Sequence, residues 1–124
     1  MGLLYEDLSY EVLGVLFETF NEIGPSHRES VYQKAISVLL SHRKLDYREQ
    51  FRIPIVIKGI EVGVHQVDFE IAGKILLEIK SRTHFRAVDF RQTIGYLKVS
   101  GYKLAILAMF TTGGVKFRRV LNVY

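Results

Sequence analysis

QVDFEIAGKILLEIK, residues 66–80, is the stretch that decides the fold. Val67, Phe69 and Ile71 alternate with Gln66, Asp68 and Glu70, the period of a half-buried strand. Ala72-Gly73-Lys74 interrupts the pattern, and Ile75, Leu77 and Ile79 resume it. Gly73 supplies the positive φ that a tight loop needs, so the spacing predicts a hairpin with Asp68 opposite Glu78. Side chains alternate faces along a strand. Val67, Phe69, Ile71, Ile75, Leu77 and Ile79 are therefore expected on one side. Gln66, Asp68, Glu70, Leu76, Glu78 and Lys80 are expected on the other, with two carboxylates and a lysine converging where the hairpin opens.

That convergence suits phosphodiester hydrolysis. Asp68 and Glu78 offer hard oxygen ligands to Mg²⁺. The metal polarises a phosphate and lowers the pKa of a bound water. Lys80 can hold that water or offset charge developing on the phosphate. The bland reading is a solvated strand face or a cross-strand ion pair. An isolated Glu-x-Lys is weak evidence. Asp68 at hairpin spacing strengthens it, as does the apolar run Lys74-Ile75-Leu76-Leu77 before Glu78.

Outward from the hairpin, residues 10–23 repeat apolar side chains at helical spacing (Val12, Leu13, Leu16, Phe20, Ile23), with Ser9 as N-cap and Gly24-Pro25 as terminator. Ser26 and Glu29 form a capping-box pattern that opens a second helix running to about residue 43. From Tyr47 the period becomes two, and Pro54 marks an edge strand. Lys58-Gly59-Ile60-Glu61 is a turn before a strand over 62–71. Residues 86–100 are a helix ending at Gly101, Leu104 to Phe110 is a strand of the buried type, and residues 115–123 are the last strand. The order is α-α-β-β-β-α-β-β, an α/β arrangement with a mixed five-stranded sheet flanked by helices.

The chain has 124 residues, no cysteine and a formal charge of +4. Its length fits one domain spanning residues 1–124, and 48% hydrophobic residues allow a packed core. The lack of cysteine excludes disulfides, Cys-ligated zinc and a Cys nucleophile, and permits a reducing, cytoplasmic setting. No signal peptide or membrane-spanning stretch is legible, so no membrane role is expected. The basic balance suits a polyanion, though many soluble domains carry as much.

The Asp68, Glu78-Ile79-Lys80 pattern resembles the PD-(D/E)xK nuclease superfamily, with Val67 in place of the proline of its name. Nearly the whole chain is similar to the small GxxExxY family within it. Gly24 through Tyr32 resembles that family's glycine, glutamate and tyrosine stretch, with Ser26 at its second glycine. Pro54-Ile55-Val56-Ile57-Lys58-Gly59 resembles its P-x-x-Y-K-G strand and turn. Gln92, Tyr96, Leu97 and Lys98 follow the Q-x-x-x-Y helix also found in RecB-like nucleases. Thr19-Phe20 replaces the family's Val-His, so no role for a first-helix histidine is carried over.

The resemblance implies a restriction-endonuclease-like core and roles for three further residues. Glu29 would touch the metal site directly or through water, alongside the ligands Asp68 and Glu78; alternatively it only caps its own helix. Gln92 and Tyr96, four apart on one helix face, would help position phosphate or Lys80, or else simply pack. Arg82, His84, Arg86 and Arg91 crowd the region after Glu78 and could neutralise phosphates, or line a solvated loop. His27, His42 and His65 lack metal-ligand spacing. The expected activity is Mg²⁺-dependent (alternatively Mn²⁺-dependent) cleavage of DNA, or less readily RNA, with a homodimer or partner protein supplying specificity. The rival is a catalytically silent nucleic-acid- or protein-binding module of the same fold.

Overall fold

The computed structural model describes residues 2–124. Its elements are α1 (Glu6–Ile23), α2 (Glu29–His42), β1 (Tyr47–Ile57), β2 (Ile60–Ile71), β3 (Ile75–Ser81), α3 (Ala87–Ser100), β4 (Leu104–Thr111) and β5 (Gly114–Leu121). The order is the one the sequence periodicity predicts.

Five strands form one mixed sheet in the order β1-β2-β3-β4-β5. β1–β2, β2–β3 and β4–β5 pair antiparallel, whereas β3–β4 pair parallel through α3. All eight residues of β4 are buried, which explains its unbroken apolar sequence. Pro54 lies in β1 at the sheet edge, where a missing N–H costs the ladder nothing. Lys58 and Gly59 both take positive φ, 49° and 80°, and close β1 onto β2 as a two-residue turn.

Helices cover both faces. Val12, Val15 and Leu16 of α1 and Tyr32, Ile36 and Leu40 of α2 pack with Phe69, Ile71, Leu77, Ile79 and Ile106 in the larger core. Tyr96 and Leu97 of α3 pack with Ile53, Val67, Leu76 and Ala105 in a smaller core on the opposite face. Among the described residues, no helix is long and apolar enough to cross a membrane.

Two helix starts differ from expectation. α1 begins at Glu6 after Tyr5, not at Ser9, which is buried inside the helix. Glu6 and Asp7 occupy its first turn, where carboxylates complement the helix dipole. The Ser26 capping box does not form. Ser26 has φ 70°, Arg28 is the N-cap, and Glu29 is the first helical residue.

Candidate active site

The site forms where β2 and β3 part. Their ladder pairs Ile71 with Ile75, Glu70 with Leu76 and Phe69 with Leu77. The next positions in this register are Asp68 and Glu78, and there side chains replace the ladder. Asp68 donates its backbone N–H to Glu78 Oε1 at 3.1 Å. Ile79 donates its N–H to Asp68 Oδ2 at 2.7 Å. Buried backbone donors must find acceptors. Here the two carboxylates supply them, so the strands diverge without orphaning either amide.

The strict alternation expected through Asp68 fails. Val67 belongs to the smaller core with Leu76, whereas Phe69 belongs to the larger core on the other face. Opposite Asp68, Gln50 interrupts β1 with φ 49°, between the pairs Glu49–Phe69 and Phe51–Val67. Tyr47 and Phe51 likewise pack into opposite cores. Both strands change face at the Gln50–Asp68 level, a local irregularity of the kind that re-aims a side chain beside a site.

Lys80 and α3 complete one wall. Glu78 Oε2 lies 3.5 Å from Lys80 Nζ and accepts the Tyr96 hydroxyl at 3.4 Å. Lys80 donates to Gln92 Oε1 at 3.4 Å. Gln92 and Tyr96 lie one turn apart on α3, so a single helix face meets both the acid and the lysine.

The opposite wall comes from α2. Tyr32 is fully buried, stacks on Phe110 at the end of β4 with ring centroids 4.0 Å apart, and donates its hydroxyl to the Gly24 carbonyl at 2.8 Å. Gly24 takes φ 72° at the C-cap of α1, so glycine, glutamate and tyrosine in this motif have distinct physical tasks. The tyrosine anchor sets the first turn of α2 over the end of β3. Glu29 Oε1 there accepts the Ser81 N–H at 3.2 Å. One turn further along, Gln33 donates to Asp68 Oδ1 at 2.8 Å and accepts from Gln50 at 2.9 Å. Sequence reading missed Gln33, although its spacing of four from Glu29 was the available signal.

Burial, followed by the neighbouring Glu78 carboxylate, pushes Asp68 up to about 8; the Ile79 N–H pulls the other way and Glu29 adds a smaller upward push. Tyr96 is raised by burial and then by Glu78, which keeps its hydroxyl protonated and donating. Burial and the neighbouring acid thus oppose a second negative charge at Asp68, even with Lys80 3.5 Å from Glu78. Asp68 and Glu78 are hard oxygen donors that fit a divalent cation, and Glu29 stands at the rim. No group of three or more His, Cys, Asp or Glu among the described residues is already gathered as a metal cage.

The basic residues divide. Arg82 pairs with Asp89 at 2.7 Å, and that carboxylate is only 2% exposed. Asp89 also accepts the Arg86 N–H at 2.9 Å, so it ties the β3–α3 loop to the first turn of α3. His84, Arg86 and Arg91 are exposed on this loop and helix start. His65, without expected chemistry, packs edge-on against Tyr96 with centroids 5.1 Å apart.

A family model described as the PD-(D/E)XK nuclease superfamily matches residues 6–120. The chain belongs to the PD-(D/E)XK nuclease superfamily. Nucleases of this superfamily act on nucleic acid and usually use divalent metals. Among solved structures, SSO0001 matches with a TM-score of 0.50 and 14% identity, covering 98% of this chain and 78% of that one. An alkaline exonuclease (LHK-Exo) from Laribacter hongkongensis matches with a TM-score of 0.46 and 10% identity, covering 98% and 72%. The likeness to SSO0001 is one of fold. No curated protein matches the chain.

Proposed function

We propose that this superfamily member is a Mg²⁺-dependent nuclease, with Mn²⁺ as a substitute, that hydrolyses phosphodiester bonds of DNA in the cytoplasm. RNA is the second substrate in order. Residues 1–124 would act as one catalytic unit of the GxxExxY type, with specificity supplied by a second copy or a partner protein. One observation carries the reading: Asp68 and Glu78 hold open the β2–β3 hairpin, and Lys80 lies 3.5 Å from Glu78.

Asp68 and Glu78 would hold the ion, with Glu29 reaching it directly or through water. When bound, the ion supplies Lewis-acid polarisation of the phosphate and acidifies a water molecule. Lys80, steadied by Gln92 Oε1, places an ammonium beside the carboxylates, where charge develops on the transferring phosphate. Tyr96 donates to Glu78 Oε2 and fixes that carboxylate's orientation. His84, Arg86 and Arg91 would receive flanking phosphates, and Arg82 would contribute by pinning the loop through Asp89.

The test is incubation of purified protein with plasmid, single-stranded DNA and structured RNA in Mg²⁺, Mn²⁺ or EDTA. The reading requires metal-dependent cleavage that is lost in folded Asp68→Ala and Lys80→Ala proteins. A specific feature favours the silent-module alternative: Gln33 and Lys80 already give Asp68 and Glu78 partners without a metal ion. Salt-sensitive binding with no cleavage in any metal would select it.

A further inference from the structure

Two adjoining hollows lie beside the carboxylate cluster, at the ends of β3 and β4. The inner one, about 180 Å³, is lined by Ser26, Ser81, Arg82 and Thr83 and by the end of β4. The outer one, about 390 Å³, continues through Thr111, Thr112 and Gly113 to Lys116 on β5. Thr83, Thr111 and Thr112 line both, so the hollows form one groove. It starts at Ser81, whose N–H meets Glu29 and which directly follows Lys80.

Its chemistry is one-sided. No carboxylate lines either hollow, although the adjoining site is built from them. The lining carries hydroxyls from five residues, a guanidinium and an ammonium; Ser81 and Thr111 already donate to the carbonyls of His27 and Gly114, which leaves the hydroxyls of Ser26, Thr83 and Thr112. Arg82 is committed to Asp89, but Lys116 is exposed and enters none of the ion pairs found among the described residues. Hydroxyl donors with an unneutralised cation are the groups that receive phosphate and sugar oxygens without reading bases.

We infer that this groove is a phosphodiester-backbone subsite, in which Thr83, Thr112 and Lys116 seat the strand that leaves the Asp68–Glu78–Lys80 centre. The inference rests on the nuclease reading for its substrate class, but the groove can be tested without cleavage. The backbone of either DNA or RNA fits these donors, and DNA is the strand assigned here. Thr83 belongs to the β3–α3 loop, so the groove adjoins the loop that carries His84 and leads to Arg86 and Arg91, which would hold a neighbouring part of the same substrate.

The experiment measures binding of a fluorescein-labelled single-stranded DNA oligonucleotide and a matching RNA to the full chain carrying Asp68→Asn, in EDTA, across a salt series. Lys116→Glu is expected to weaken binding about tenfold and to flatten the log–log salt slope by about 0.7 for one lost phosphate contact on a single strand. Thr112→Val is expected to weaken binding about threefold with no change in slope. Lys103→Glu, at the opposite end of β4, makes the same charge change and is expected to leave binding within about twofold. Circular dichroism checks that each variant is folded. Equal losses from Lys116→Glu and Lys103→Glu would reduce the effect to overall charge and overturn the subsite. Unchanged binding in Lys116→Glu, or no binding by any form, would overturn it as well. A tighter RNA complex that keeps the Lys116 dependence would retain the subsite and reassign the strand. The two readings fail separately: Lys116-dependent binding without cleavage in Mg²⁺ or Mn²⁺ removes the nuclease and keeps the groove. Cleavage with binding and KM insensitive to Lys116 does the reverse.

Discussion

Asp68 holds its proton far beyond the ordinary carboxylate range because it is buried beside Glu78. Linkage fixes the sign. In the unfolded chain the group titrates near 3.8, in the folded chain near about 8, so between these values the folded state binds the extra proton. Stability of the metal-free protein should therefore fall as pH rises across that window. Asp68→Asn removes this component. The replacement amide can keep the Ile79 N–H on its carbonyl, and Gln33 and Gln50 can flip their own amides to match. We expect Asp68→Asn to be more stable than the parent at pH 8 in EDTA by about 2 kcal/mol, roughly 6 °C in Tm, with the gap closing towards pH 4. Thermal melts across that range check it, and a parent that gains stability towards pH 8 would count against the charge cluster. The meeting of Asp68 and Glu78 was legible because hairpin spacing sets them against each other. Gln33 was not, because its spacing of four from Glu29 puts it on the same helix face but does not say that Asp68 lies opposite until the sheet is built.

At the scale of elements, α3 matters more than its packing area suggests. Its first turn is tied to the end of β3 by Asp89, which meets both Arg82 and the Arg86 N–H. Gln92 and Tyr96 reach Lys80 and Glu78 from the same helix. Asp89→Ala leaves Arg82 without its carboxylate in a partly buried place and frees the helix start. The expected cost is about 2–3 kcal/mol, less than for a fully buried pair because Arg82 keeps some solvent. Urea unfolding measures it. Cleavage should fall by about tenfold through kcat with KM little changed, the pattern for misplaced groups acting only in the transition state. Arg82→Met should reproduce both effects. The order and type of every element were legible from periodicity and Gly or Pro punctuation. The start of α1 was missed because Ser9 is a generic cap residue, while the decisive acidic pair, Glu6 and Asp7, lies further upstream. The change of strand face at Gln50 and Asp68 was unreadable, since a period-two pattern assumes an uninterrupted pleat.

For the whole molecule, the two cores meet through a sheet that is pried open at the candidate site. In the metal-free state burial and Glu78 keep Asp68 from ionising, and a divalent ion that binds only the folded pair in place of that proton should stabilise the entire fold. At ten times its Kd, Mg²⁺ is expected to add about 1.4 kcal/mol, or roughly 4 °C in Tm. Calorimetry with and without Mg²⁺ tests this, with Asp68→Asn abolishing the shift. An equal shift in that variant would place the ion elsewhere.

The outer half of the β1–β2 hairpin leaves Val56, Ile57, Ile60 and Val62 more than half exposed along a sheet margin. Such a margin invites another chain to add itself as a further strand and seed insoluble fibres. Pro54 stands in its path: a ring nitrogen without hydrogen denies an incoming strand one donor, so the ladder it could form along β1 is weakened there. One imino acid at the rim thus acts as a gatekeeper against polymerisation for a chain whose exposed branched side chains would otherwise favour it.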